Sequence, residues 1–189
     1  MSNNVWQGTR VRLRALEPGD WAAHWSWDQD AGMERSLEQI HFPRSQEAAR
    51  QWATRTATQP PEGDKVHLVI ENAAGELVGA VATHDCNRRT GTFAYGVAVR
   101  PEHQRQGYAA EAIVLLLRYF FQELRYQKVT VEVYSFNGPS IALHERLGFQ
   151  AEGRLRRTVF TAGQFFDALL YGMTAEEFAA RYPADPFPG

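Results

Sequence analysis

The spacing of apolar residues changes period along the chain, and the changes mark out its elements. Ile113, Leu116, Leu117, Phe120 and Leu124 recur three and four residues apart. That spacing lines one face of a helix, and it predicts a helix over residues 107–124. Residues 128–134 alternate instead, with Val129, Val131 and Val133 on one side, the period of a strand. Residues 92–99 alternate in size as well. Phe93, Tyr95, Val97 and Val99 face one way, while the small Thr92, Ala94, Gly96 and Ala98 face the other. One face of that strand is bulky, and the other leaves room for a molecule to lie close to it.

The other elements rest on turn and cap signals. Val11 and Leu13 alternate with Arg10, Arg12 and Arg14, which predicts a first strand. Pro18, Gly19 and Asp20 mark the entry to a helix that places Trp21 and Trp25 on one face, followed by Trp27. A second helix is expected after Ser45, through residues 47–56, and a loop at residues 60–63. Residues 67–71 and 77–83 read as a hairpin around Ala74 and Gly75. Pro139 suits the first turn of a helix capped by Asn137 or Gly138 and stopped at Gly148. Strands at 154–160 and 165–173 flank the Ala162-Gly163 turn, and a short helix over residues 175–181 follows. The order predicts an α/β chain of the α+β type, a mixed and largely antiparallel sheet flanked by helices. It is expected to form a single domain over residues 1–189, with its core at about 10–173. The hairpins argue against a doubly wound dinucleotide-binding fold.

Composition narrows the function. The 189 residues are 44% hydrophobic and 22% charged, close to globular averages, and the net charge is −2. That balance predicts neither a nucleic-acid partner nor a membrane surface. No apolar run approaches the ~18 residues of a membrane span, and the start of the chain lacks a signal-peptide pattern. The single Cys86 permits no internal disulfide. With His84 and Asp85 it offers too few ligands for zinc, and it reads as a small buried hydrophobe. The expectation is a cytoplasmic protein without a metal.

The chemistry concentrates after Val97-Ala98-Val99. Arg100-Pro101 bends the chain, and Gln104-Arg105-Gln106-Gly107-Tyr108-Ala109-Ala110 leads into the long helix. The first N–H groups of a helix have no internal partner and lie at the positive end of its dipole. A pyrophosphate satisfies both conditions. Gly107, Ala109 and Ala110 let phosphate oxygens approach the backbone, and Arg105 can add a charged contact.

With that turn, Asn137-Gly138-Pro139-Ser140 and His144-Glu145-Arg146-Leu147-Gly148-Phe149 complete a composite pattern. The chain resembles the GNAT superfamily of acetyl-CoA-dependent N-acetyltransferases from about Arg10 to Met173. Glu152-Gly153-Arg154-Leu155-Arg156-Arg157 looks like its ribosomal-protein and spermidine acetyltransferase branch. The resemblance implies an enzyme that moves an acetyl group from acetyl-CoA to a primary amine by direct attack. The amine would be a small molecule, a polyamine or a protein N-terminus. It implies that Val97, Ala98 and Val99 pair with the pantetheine arm, that residues 104–110 hold the pyrophosphate, and that Asn137 contacts the cofactor. The Val99 amide is the implied oxyanion donor.

Ser140 and His144 share one helix face, since they stand four residues apart. Both are candidates to contact the cofactor and to protonate the leaving thiolate; a tyrosine often occupies the place of His144 in the family. The branch also often carries a glutamate base two residues before the strand glycine, where this chain has Ala94 before Gly96. Water, Asp85 or Asp167 is left to take the proton, and a binding-only acyl-CoA sensor is the alternative reading. Trp21, Trp25, Trp27, Phe42, Phe160, Phe165 and Phe166 are the aromatic candidates for the acceptor pocket, with Tyr134 and Phe136 beside the thioester. A homodimer is an open option.

Overall fold

Seven strands and six α-helices form among the described residues, 4–37 and 40–183 of a computed structural model. In chain order they are β1 (Val11–Ala15), α1 (Trp21–Trp27), α2 (Ala31–Leu37), α3 (Gln46–Thr58), β2 (His67–Asn72), β3 (Leu77–Asn87), β4 (Thr92–Val99), α4 (Tyr108–Gln122), β5 (Lys128–Tyr134), α5 (Gly138–Leu147), β6 (Gln150–Thr161), β7 (Gln164–Thr174) and α6 (Ala175–Arg181). The chain divides into two units. One holds residues up to 84 together with 95–116, and the other holds 85–94 and 117 onward.

In the first unit β1, β2 and β3 are hydrogen-bonded in that order, with β1–β2 and β2–β3 antiparallel. The period-two pattern of β1 buries Val11 and Leu13 and turns Arg12 and Arg14 outward. Arg12 pairs directly across from Glu71, and both arginines donate to its carboxylate, at 2.7 Å and 2.5 Å. Trp21 and Trp52 pack on Leu16, Ala53 and Val69, which ties α1 and α3 together. The Ser45 hydroxyl accepts from the Ala48 N–H and starts α3, as its sequence predicts. The sequence gives no periodic sign of α2, because only Met33 is buried there. Its start is fixed by the Asp30 carboxylate, which accepts from the N–H groups of Gly32 and Met33.

In the second unit the beginning of β4 pairs in parallel with β5, from Thr92 against Lys128 to Ala94 against Thr130. Such a pair needs a crossover, and α4 lies in the connecting segment. β5 and β6 both pair antiparallel with β7. Phe93 stacks on Phe120 at 4.3 Å and meets Phe121 and Tyr126 edge-on. The sheet is therefore mixed and mainly antiparallel, as expected.

The apolar stripe of α4 behaves as its spacing requires. Ile113 and Leu116 are fully buried in the first unit, and Leu117 and Phe120 are 1% exposed in the second. Leu124 lies beyond the helix end at Gln122 and is only half-buried. Cys86 is likewise half-buried, short of the full burial expected of it.

Candidate active site

The turn before α4 is built from left-handed backbone. Arg105 has φ 63° and Gly107 has φ 83°. Successive peptides in such conformations bring N–H groups together into an anion-binding concavity. The Gln104 side chain fastens the turn to the end of β4 by donating to the Val99 carbonyl at 3.1 Å. Arg10 stands beside the turn and donates to the Gln106 carbonyl at 3.3 Å. A Cβ placed at Gly107 would lie 3.6 Å from the Arg10 side chain. The donors present, helix-start N–H groups and a guanidinium, fit a diphosphate.

Glu111 holds this arrangement together. In the first turn of α4 its carboxylate accepts four hydrogen bonds, from the Thr9 N–H and hydroxyl and from the N–H groups of Arg10 and Val11, at 2.7–2.9 Å. Burial pushes its pKa up, but the bonds from Thr9, Arg10 and Val11 prevail and hold it below the usual carboxylate range. The residues just before β1 are thereby fixed to the start of α4, and Arg10 is set beside Gly107. Sequence reasoning missed Glu111 and the placement of Arg10. The one local signal was an acid in the first turn of a helix.

The last residues of β4 are backed just as closely. A Cβ at Gly79 of β3 would lie 2.2 Å from the Ala98 carbonyl oxygen and 3.2 Å from the Val99 Cα. Only glycine lets β3 approach Val97, Ala98 and Val99 this closely. Phe93 and Tyr95 are buried on the bulky face, and Gly96 is exposed on the other.

In the second unit Asn137 is the cap of α5, its side chain accepting from the Ser140 N–H at 3.2 Å. Gly148 closes the helix with φ 97°. The predicted pair does meet. Ser140 Oγ lies 3.4 Å from His144 Nδ1, and the same nitrogen lies 2.8 Å from the Ser140 carbonyl oxygen. A carbonyl oxygen only accepts, so Nδ1 carries the proton. His144 is 3% exposed, packed against Phe149 and Tyr171. Burial holds its pKa below the ordinary imidazole value, against the opposite pull of the Ser140 carbonyl.

The other candidates separate. Asp167 accepts from Arg154 and from the Arg157 N–H, which with Arg154 holds its pKa below the usual range and makes it a poor base. Ala94 offers no carboxylate. Of the aromatic candidates, Trp27 and Phe42 line a cavity in the first unit. Trp21 packs into the core, the Trp25 indole donates to the Arg44 carbonyl, and Phe166 meets Phe136, which also lies beside Tyr134. Phe160 and Phe165 are 61% and 52% exposed. Among the described residues no group of three His, Cys, Asp or Glu is arranged to hold a metal, and no helix is long and apolar enough to cross a membrane.

Comparison with known proteins gives one family. The acetyltransferase (GNAT) domain model matches residues 10–150. The SPbeta prophage-derived uncharacterized N-acetyltransferase YokL of Bacillus subtilis is 42% identical over 178 residues, 94% of this chain and 97% of its own length. The structure of spermidine N-acetyltransferase from Vibrio cholerae in complex with CoA and spermine matches with a TM-score of 0.79 at 23% identity, over 90% of this chain and 99% of that one. A dodecameric structure of spermidine N-acetyltransferase from the same organism matches with a TM-score of 0.75 at 23% identity, over 93% and 99% of the two chains. The last two are likenesses of fold.

Proposed function

The chain belongs to the GNAT acetyltransferase family, and from that membership we propose how its own residues carry acetyl transfer. The protein is an N-acetyltransferase that uses acetyl-CoA and an amine. The observation that carries the residue assignment is the left-handed pair Arg105 and Gly107 at the start of α4, with Arg10 beside it.

The N-H groups of residues 105–110 receive the pyrophosphate, and Gln104 holds their turn to β4. Val97, Ala98 and Val99 hydrogen-bond the pantetheine arm, with the Val99 amide donating to the acyl oxygen. Asn137 contacts the cosubstrate, as the family resemblance implies. Acetyl-CoA supplies an activated thioester. The amine nitrogen forms its bond to the acyl carbon, the carbon–sulfur bond breaks, and the proton lost by nitrogen ends on sulfur.

Ser140 is the better proton donor of the two candidates. Neutral His144 commits its one N–H to the Ser140 carbonyl and hydroxyl, which leaves the hydroxyl free to donate to sulfur. His144 positions that hydroxyl. With Ala94 in place of a base, water takes the proton from the amine and returns it to the Ser140 oxygen as the hydroxyl proton passes to sulfur.

The whole chain serves as one catalytic domain; the support is a family match that runs through both units. A cytoplasmic location is supported by the single cysteine. Self-association is supported by the exposed Phe160 and Phe165 and by the dodecameric Vibrio cholerae enzyme. The binding-only alternative has no support in the named relatives. The test is an assay of acetyl-CoA consumption over a panel of amines, with the acetylated product identified by mass. Thiol release with matching amide formation supports transfer; CoA binding with no product from any amine contradicts it.

A further inference from the structure

A cavity of about 560 Å³ lies within the first unit, between its helices and the start of β2. That is the size of a small-molecule site. His24 sits in its wall, 5% exposed, with its ring 4.3 Å from Trp27, 4.9 Å from Trp52 and 5.3 Å from His67. His24 Nε2, Trp27 Nε1 and His67 Nε2 are withdrawn from water, and none has a hydrogen-bond partner. A buried polar atom left unpaired costs its full desolvation penalty. Three of them in one cavity wall point to a bound group that pairs them.

The atoms themselves restrict what that group is. The Trp27 indole N–H can only donate, so it needs an acceptor. Burial, aided by His67, lowers the pKa of His24 to about 3, and burial lowers that of His67 as well. Two neutral imidazoles offer hydrogen bonds and no charge. Around them Asp28 is paired with Arg44 at 2.6 Å, and Glu34 accepts from the His41 N–H at 3.3 Å and lies 3.4 Å from its ring. With both carboxylates engaged, the wall keeps no uncommitted acid for the further ammonium groups of a polyamine.

We propose that this cavity receives the body of the acceptor and selects a monoamine bearing a hydrogen-bonding oxygen, such as an amide or hydroxyl, over a bare polyamine. The proposal rests on the reading of the protein as an amine acetyltransferase. The ligand oxygen accepts from Trp27, and the two imidazoles complete the hydrogen bonding of the same group. Trp52 and Met33 cover its apolar part.

The experiment compares phenylalaninamide with 2-phenylethylamine, which has the same ring and no oxygen, and with spermidine. Wild type and Trp27→Phe are assayed; the variant keeps an aromatic side chain and removes the donor. Wild type is expected to prefer the amide by about ten-fold or more in kcat/KM over both others, and Trp27→Phe to reduce its preference over 2-phenylethylamine to within about three-fold. Calorimetric titration of phenylalaninamide into the CoA-loaded protein is expected to show the same loss of about ten-fold in affinity in the variant. Spermidine as the best acceptor, or a preference that Trp27→Phe leaves unchanged, overturns the proposal. If none of the three is acetylated, the titration decides the cavity's preference independently of turnover, and equal affinity of wild type and Trp27→Phe for phenylalaninamide overturns the proposal.

Discussion

His144 Nδ1 lies 2.8 Å from the Ser140 carbonyl oxygen, one helical turn back along α5. This contact fixes the imidazole tautomer and divides the roles of the two residues. A neutral, buried ring that spends its N–H on a carbonyl is a poor acid, whereas the adjacent hydroxyl keeps a proton to donate.

Ser140→Ala is therefore expected to lower kcat by about 10²-fold, the scale of one lost proton donor. CoA affinity is expected to stay within about two-fold, because the hydroxyl acts late, on the leaving sulfur. His144→Phe is expected to lower kcat by less than Ser140→Ala. Since burial holds the His144 pKa below 6.5, the kcat profile above that pH should have the same shape in wild type and in His144→Phe. Steady-state rates across pH check both; a basic-side step that disappears in His144→Phe assigns the acid to His144 instead.

Gly79→Val is expected to weaken CoA binding without touching any residue of the phosphate turn. Its Cβ would meet the Ala98 carbonyl at 2.2 Å, so Val97, Ala98 and Val99 must move. We expect a loss of at least about ten-fold in CoA affinity and a stability loss of about 1–3 kcal/mol from overpacking. Calorimetric titration and denaturant unfolding measure the two effects.

Acid weakens the fold through His24. Its folded pKa of about 3 lies below the ordinary 6.5, so the unfolded chain binds the proton more readily. The stability this neutral ring contributes is present above pH 6.5 and is lost progressively as pH falls from there toward 3. Between pH 7 and 5 the loss is about 2 kcal/mol, with His67 and His144 adding in the same direction. Urea midpoints across that range should fall in wild type and fall less steeply in His24→Phe.

Much of this was legible in the chain. The α4 stripe and the alternation of β5 declare themselves because one face of each is apolar and the other polar. Asn137 and Gly148 mark the ends of α5 by cap chemistry that is local in sequence. What stayed hidden depends on distant contacts or lacks a buried face. Every side chain in the first nine residues of β6 is exposed, so no period betrays its start at Gln150. The grip of Glu111 on Thr9, Arg10 and Val11 spans about a hundred residues of sequence, and so does the placing of Arg10 beside Gly107. The cluster of His24, Trp27, Trp52 and His67 exists only once α1 and α3 are set beside β2.

The most direct test of the account is titration of CoA into wild type and Gly107→Val. A valine there fills the space beside Arg10 that the pyrophosphate needs and resists φ 83°. Unfolding curves on the same samples separate loss of fold from loss of the seat. Gly107→Val is expected to remain folded and to lose CoA affinity by about 10²-fold or more, the scale of ~3 kcal/mol. A folded Gly107→Val protein that binds CoA as wild type does contradicts the assignment of residues 104–110 as the phosphate seat.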